Sequence, residues 1–395
     1  MKTVVAETVL FGREAFGTLG EVTVVPDRQI GPQHLKDADA LIIRSKTNVT
    51  PELLEGSALR FVGTATAGFE HLDTAALEAR GMAWAHAPGC NADSVADYVT
   101  AALLFLHTFK GMILEGKTLG IIGAGQVGSR VAARAEALGL RVLLNDPPRA
   151  EAKLQGSEDW RAAREPEEIF YPLEEVLAEA DIVTLHVPMT VEKPWPTLRM
   201  ADCRFFAQMR RGSVFMNTSR GKILDGDALL HAIENGIVEH AVLDVWDPEP
   251  CIRTELLDAA TIGTPHIAGH SLEGKLNGTV QVYREACHFF ETAAVWDPAP
   301  LLNAPAVPEL NIDSRGKSDE EVLAEAVAAV YDLAADDAAL RAATVTGKTE
   351  RAKNFDRLRA EYSARREFSN TQVGLTEARP EVFDKLRLVG FRVRT

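Results

Sequence analysis

The stretch from Leu119 to Asp146 leaves few folds open. A short apolar run, 119–122, leads into Gly123-Ala124-Gly125-Gln126-Val127-Gly128. An Ala- and Arg-rich segment follows, closed by Gly139, and then a second apolar run, 141–144, that ends on Asn145 and Asp146. The order reads as strand, tight turn, helix, strand, and such a unit needs a parallel sheet to bury its strands. Each glycine has its own task. Gly123 permits the turn, Gly125 lets a pyrophosphate approach the backbone, and Gly128 lets the helix pack close to the sheet. Gln126 and Val127 open the helix, where N–H groups and the positive end of the dipole receive phosphate. Asp146 lies at the tip of the second strand, close to the ~20-residue spacing of a ribose-binding acid. Its carboxylate accepts hydrogen bonds from ribose hydroxyls and repels a 2′-phosphate, so the expected cofactor is NAD rather than NADP.

Five more apolar runs precede this unit, at 4–6, 22–25, 41–43, 61–63 and 82–85, with helical patterns between them, as at 51–55 and 74–80. Alternating strands and helices imply a second parallel sheet. A long helix is expected over 91–110, with Asp93 near its start and Val95, Val99, Leu103 and Leu106 on one stripe. Beyond Asp146, Pro147 and Pro148 break the chain, and 149–172 reads as a polar surface excursion. A helix at 173–179 and strands at 182–187, 214–217 and 241–245 follow, and a second long helix, 276–292, is expected to return to the first domain. Prolines 298, 300, 305 and 308 mark a linker. In the tail, helices are expected at 319–332 and 349–366 and strands at 372–375 and 392–394. The predicted architecture is α/β, with two Rossmann-like doubly wound parallel-sheet domains and a small C-terminal α+β domain. The expected boundaries are 1–95 with 277–299 for a flavodoxin-like substrate domain, 96–276 for the NAD domain, and 300–395 for the tail.

Charge narrows the partners. The net charge is −15, which argues against nucleic acid and anionic membrane surfaces. No apolar run reaches the ~18 residues of a membrane span, and the first residues lack a signal-peptide core. The four cysteines are scattered and form no pair of metal-ligand spacing; they read as reduced thiols of a cytoplasmic protein with no metal site. An anionic substrate must then be met by local Arg, Lys or backbone N–H groups.

Three later segments each place a chemically useful side chain just after a strand: Arg220 in Asn217-Thr218-Ser219-Arg220-Gly221, Glu249 in Asp244-Val245-Trp246-Asp247-Pro248-Glu249-Pro250, and His266 in Thr264-Pro265-His266-Ile267-Ala268-Gly269-His270. Taken singly, Glu249 reads equally as a solvated loop acid, His266 as a structural histidine and Arg220 as the partner of an internal carboxylate. Together, and beside a dinucleotide fingerprint, they form a catalytic set at the ligand-binding edge of the sheet.

Those segments, with Gly123–Gly128 and Asp146, resemble the NAD-dependent D-isomer-specific 2-hydroxyacid dehydrogenase family over roughly residues 1–295. Arg44-Ser45-Lys46-Thr47, Thr66-Ala67-Gly68, Ala87-Pro88-Gly89-Cys90-Asn91 and Leu272-Glu273-Gly274-Lys275 narrow the resemblance to the branch acting on 4-phospho-D-erythronate in pyridoxal 5′-phosphate synthesis. In the tail, Asp336-Asp337…Leu340-Arg341 and Phe355…Arg365-Arg366-Glu367-Phe368 resemble the dimerisation domain of that branch. The resemblance implies an active site in a cleft between two domains, a homodimer formed through the tail, and a small phosphorylated 2-hydroxy acid as substrate. It implies His266 as acid/base, Glu249 as its support and Arg220 as the group that binds the substrate carboxylate and polarises the C2 oxygen. It also implies cofactor contacts at Val187, Thr218, Ser219, Asp244 and Gly269 and substrate contacts at Ser45 and Thr66, while Arg44 is a local candidate for the anionic groups. His270 stands where Tyr is usual, and Ala67-Gly68-Phe69-Glu70-His71 where Thr-Asp-His is usual. Two other readings stay open: the same chemistry on another acid such as 3-phosphoglycerate, and a non-catalytic NAD-sensing regulator.

Overall fold

The apolar runs become strands because β-branched side chains pack well on a pleated surface covered on both faces. The computed structural model describes residues 1–154, 169–344, 347–363, 365–377 and 379–394. It divides into two compact units, Met1–Asn91 with Ser271–Ala304 and Ala92–His270 with Pro305–Thr395.

In the first unit, β1 (Lys2–Ala6), β2 (Glu21–Val25), β3 (Ala40–Ile43), β4 (Phe61–Thr64) and β5 (Ala83–Ala85) form one parallel sheet in the order β2-β1-β3-β4-β5. The strand order reverses between β1 and β3, so the loops after these strands border the crevice where such sheets take ligands. The helix Leu272–Phe289 packs on this sheet, capped by Ser271, whose Oγ accepts the Gly274 N–H at 2.8 Å. Gly278 permits the approach, since a Cβ there would lie 2.5 Å from the Ala65 carbonyl oxygen. The unit changes at Asn91/Ala92 and His270/Ser271, at the starts of the two long helices, a few residues earlier than the sequence pattern suggests.

In the second unit, β6 (Thr118–Ile122), β7 (Arg141–Asn145), β8 (Ile182–Leu185), β9 (Ser213–Asn217), β10 (Val238–Leu243) and β11 (Ile262–Gly263) form a parallel sheet ordered β11-β10-β9-β8-β6-β7. A parallel bridge from Leu144 to Phe170 continues it beyond β7. The order reverses between β6 and β8, which puts the glycine turn at that point. The helix Ala92–Lys110 is buried on nearly every side and packs against the helix Gln126–Ala137.

The tail adds β12 (Glu309–Asp313), β13 (Gln372–Thr376) and β14 (Arg392–Arg394) as a small parallel sheet. It does not have a core to itself. Ile312, Val322, Leu323 and Val327 share one apolar cluster with Val95, Val99 and Leu103. Leu340 and Phe355 share another with Leu256 and Leu257.

Several elements differ from the sequence pattern. Residues 51–55 are turns. Pro147 and Pro148 start the helix Pro147–Leu154, because proline is tolerated in a first turn whose N–H groups have no partner anyway. Most of the expected polar excursion, 155–168, lies outside the described residues. The expected helix 319–332 ends at Val330, where Tyr331 turns extended, and the helix Leu333–Thr344 follows. The expected helix 349–366 stops at Ala360, so the segment around Arg365 is released for other contacts. No helix among the described residues is long and apolar enough to cross a membrane.

Leu340 is 0% exposed. Leu340→Ala should cost about 2–5 kcal/mol, as truncation of a buried leucine does. Denaturant unfolding should show the tail and the dinucleotide sheet losing structure in one transition; two separated transitions would mean the tail stands alone.

Candidate active site

The glycine turn is built by close approaches that a side chain would block. Gly123 has φ of 92°, and a Cβ there would lie 2.6 Å from the His186 carbonyl oxygen and 2.7 Å from Val187 Cγ1. At Gly128 a Cβ would lie 2.0 Å from the Gly123 carbonyl oxygen. Gly125 differs: among the described residues, apart from its own chain neighbours, nothing stands within 4 Å of its Cβ position. It is the N-cap of the helix Gln126–Ala137 and supplies no capping side chain, and a helix N-terminus is a place where phosphate binds. Asp146 follows β7; its Oδ2 accepts the Ala124 N–H at 2.9 Å and its Oδ1 accepts the Arg149 N–H at 3.1 Å. A dinucleotide fits this arrangement: open space at Gly125 among the described residues, a helix that begins at Gln126 with no side-chain cap from Gly125, and a carboxylate at the strand end.

The neighbouring strand, β8, ends at Leu185 and leads into His186 and Val187. The imidazole of His186 lies 3.0 Å from Thr184 Oγ1 and 3.4 Å from Thr218 Oγ1. Burial holds its pKa down to about 3, so the ring is neutral. The sequence marked Val187 but not this histidine.

Arg220 is held by its own loop. Asn217 Oδ1 accepts the Ser219 N–H at 3.1 Å and the Ser219 hydroxyl at 2.9 Å, and Asn217 Nδ2 donates to the Arg220 carbonyl at 3.0 Å. Gly221 lets this loop lie on the next one, because a Cβ there would stand 1.9 Å from the Trp246 carbonyl oxygen. Trp246 in turn orients Glu249: its backbone N–H donates to Glu249 Oε1 at 2.8 Å. The second oxygen, Oε2, meets His266 Nδ1 at 2.8 Å. Burial alone would raise the Glu249 pKa, but the facing His266 and the donated hydrogen bonds outweigh it, and the carboxyl ends below its ordinary 4.5.

His266 has φ of 56°, a conformation that non-glycine residues adopt at a cost. The surrounding loop enforces it. The His266 N–H bonds to the Asp244 carbonyl at 2.7 Å. Asp244 Oδ1 accepts the Thr264 hydroxyl at 2.6 Å and the Ile267 N–H at 2.7 Å, and Oδ2 accepts the Ala268 N–H at 3.0 Å. The Tyr98 hydroxyl completes the chain by donating to Thr264 Oγ1 at 2.7 Å. Asp244 is 1% exposed. The sequence resemblance puts Asp244 among the residues lining the cofactor; in the structure its carboxylate holds the His266 loop. Burial raises its pKa against the opposing pull of His266 and these donors.

Gly269 sits in the turn closed by the His270 N–H on the Ile267 carbonyl at 2.9 Å. The ring of His270 is 6.5 Å from that of Tyr362. In the first unit, Arg44 and Ser45 follow β3 at the reversal point of the sheet. The Arg44 charge acts on Cys90, whose thiol burial pushes up to about 11. Thr66 Oγ1 donates to the Gly68 carbonyl at 2.7 Å.

Residues 98–268 match the model of the D-isomer specific 2-hydroxyacid dehydrogenase NAD binding domain. Residues 301–390 match a domain described only as of unknown function, DUF3410. The erythronate-4-phosphate dehydrogenase of Cronobacter sakazakii is 44% identical over 94% of this chain and 94% of its own. That of Klebsiella pneumoniae is 41% identical over 99% of this chain and 98% of its own. Among solved structures, D-lactate dehydrogenase of Aquifex aeolicus, complexed with NAD and lactic acid, is similar with a TM-score of 0.60 and 26% identity, covering 73% of this chain and 95% of its own. NAD+-bound 3-phosphoglycerate dehydrogenase of Entamoeba histolytica gives a TM-score of 0.60 and 25% identity over 74% and 95%.

A carboxyl whose folded pKa lies below its unfolded value stabilises the fold above the unfolded value, and this is lost as pH falls. For Glu249 the loss begins near 4.5 and continues below it. The stability difference between wild type and Glu249→Gln should therefore shrink as pH drops from ~6 to ~3. Urea unfolding across that range measures it, and a difference that does not change with pH would rule out the charged pair.

Proposed function

This chain belongs to the D-isomer-specific 2-hydroxyacid dehydrogenase family, and we propose that it oxidises 4-phospho-D-erythronate with NAD to (R)-3-hydroxy-2-oxo-4-phosphobutanoate, a step of pyridoxal 5′-phosphate synthesis. The observation that carries the reading is the 2.8 Å contact of His266 Nδ1 with Glu249 Oε2, at the carboxyl edge of a sheet that also bears the glycine turn. The names of the two relatives supply the substrate.

Glu249 accepts a hydrogen bond from Nδ1–H and so leaves Nε2 of the neutral ring as the base. Nε2 takes the proton of the C2 hydroxyl. The imidazolium that forms is stabilised by the Glu249 charge, which Trp246 keeps in place. Arg220 binds the substrate carboxylate and polarises the C2 oxygen. Gly125, Gln126, Val127 and Asp146 hold the cofactor, with Val187, Thr218, Ser219 and Gly269 around it. When bound, NAD supplies the acceptor for the hydride that leaves C2. Arg44 and Ser45 are the candidates for the 4-phosphate, supported by their place at the reversal point of the first sheet. Thr66 and His270 are the remaining candidates for substrate contact. The reading includes a cytoplasmic homodimer assembled through the tail, as the sequence resemblance implies.

Two measurements test it. With NAD and a panel that includes 4-phosphoerythronate, 3-phosphoglycerate and D-lactate, NADH absorbance should rise fastest with 4-phosphoerythronate. His266→Ala should cut kcat by ~10²–10⁴-fold, the range for loss of a general base. A faster rate on 3-phosphoglycerate would move the substrate assignment, and an unchanged kcat in the variant would remove the base. Separately, Asp146→Ala should narrow the preference for NAD over NADP by weakening the first and relieving repulsion of the second. Equal use of both cofactors by wild type would overturn the ribose assignment.

A further inference from the structure

The tail sequences that resemble a dimerisation domain face inward, onto the loop that carries His266. Asp337 Oδ1 accepts the Gly263 N–H at 2.7 Å. Gly263 ends β11, the edge strand, and His266 lies three residues on. Arg341 pairs with Asp337 and donates to the carbonyls of Leu257 and Ala260 at 2.9 and 2.8 Å.

Arg365 holds the other side of the loop. It is 7% exposed, and its Nη2 donates to the carbonyl of Ala268, two residues past His266. The same nitrogen donates to the Ser94 carbonyl at 3.1 Å, at the start of the helix Ala92–Lys110. The guanidinium lies 4.3 Å from the centre of the Tyr331 ring. The adjoining residues fasten the segment: the Ser94 hydroxyl donates to Glu367 Oε1 at 2.9 Å, and the Phe368 N–H donates to Asp97 Oδ2 at 3.1 Å. Asp97 also pairs with Arg134.

The backbone is thus tied by the tail at Gly263 and at Ala268, before and after the residue in the left-handed conformation. Such a conformation persists only where its surroundings over-determine it. A buried guanidinium is expensive to desolvate, and fixing a geometry is a better account of it than stability. We propose that the tail is part of the catalytic scaffold, with Arg365 and Asp337 as positioning residues that hold His266 in register with Glu249. The inference rests on the reading of His266 as the base.

The test is a double-mutant cycle in the full chain. Arg365→Lys keeps the charge and loses the planar fork. Its kcat should fall by ~10–100-fold, the scale of a small misplacement of a reacting group, while NADH affinity by fluorescence titration and the sedimentation coefficient stay unchanged. Combined with His266→Ala, the same substitution should lower the residual rate no further, because it acts through the missing imidazole. A general structural role would instead lower the rate equally in both backgrounds and would overturn the proposal, as would an unchanged kcat in Arg365→Lys. If Arg365→Lys does not fold, Asp337→Ala, which cuts the tie at Gly263, must give the same pattern. If His266→Ala itself keeps full kcat, the base assignment falls and this inference with it; if only the coupling is absent, the base assignment stands.

Discussion

The buried carboxylate of Asp244 is the interaction on which the catalytic edge depends. It takes a hydroxyl and two backbone N–H groups from Thr264, Ile267 and Ala268. A carboxylate removed from water is costly unless its oxygens are satisfied, and here the donors all come from the one loop that must hold an unfavourable turn. The loop and the carboxylate therefore stabilise each other. Remove the Asp244 carboxylate and the left-handed turn at His266 loses the contacts to Thr264, Ile267 and Ala268, leaving the ties from the tail to hold it; straighten the turn and the carboxylate loses these donors.

The other parts of the site follow from this anchor through short backbone links. Asp244 is the residue after β10, Trp246 lies two further on, and Trp246 reaches Glu249, the Thr264 carbonyl and the Arg220 loop through one N–H, one indole N–H and one close approach at Gly221. The side chains proposed as catalytic, from three strand ends, are thereby set in mutual register through main-chain contacts. These are less free to move than side chains, which suits the proposed alignment of a base and a carboxylate clamp. The tail fits the same logic: its parallel strands and helices share their apolar clusters with the dinucleotide sheet, and its charged side chains end on that sheet's carbonyls and N–H groups.

Much of this was legible in the sequence, for physical reasons. Gly123 and Gly128 stand where no Cβ fits, so spacing alone marks them. Arg220, Glu249 and His266 each follow an apolar run, and the ends of parallel strands are where ligands sit. Other features carried no local signal. Nothing in the sequence around Asp244 shows that its carboxylate takes donors from a loop 23 and 24 residues on. The contact of Arg365 with Ala268 joins residues 97 apart, and helical periodicity absorbed that arginine into an expected helix that ends earlier, at Ala360. The helix Leu333–Thr344 and β12 were missed because short amphipathic segments say that a face is buried, not against what. The neutral state of His186 depends on burial by neighbours distant in sequence.

The central claim is that this site removes hydrogen from C2 of a phosphorylated 2-hydroxy acid, with the proton going to His266 and the hydride to NAD. A single turnover of 4-phosphoerythronate deuterated at C2, followed by mass spectrometry of the reduced cofactor, tests it most directly. The account predicts deuterium in the NADH, none released to water, and a slower hydride-transfer step than with the unlabelled acid. Deuterium found in the solvent, or product formed with no label in the cofactor, would contradict it.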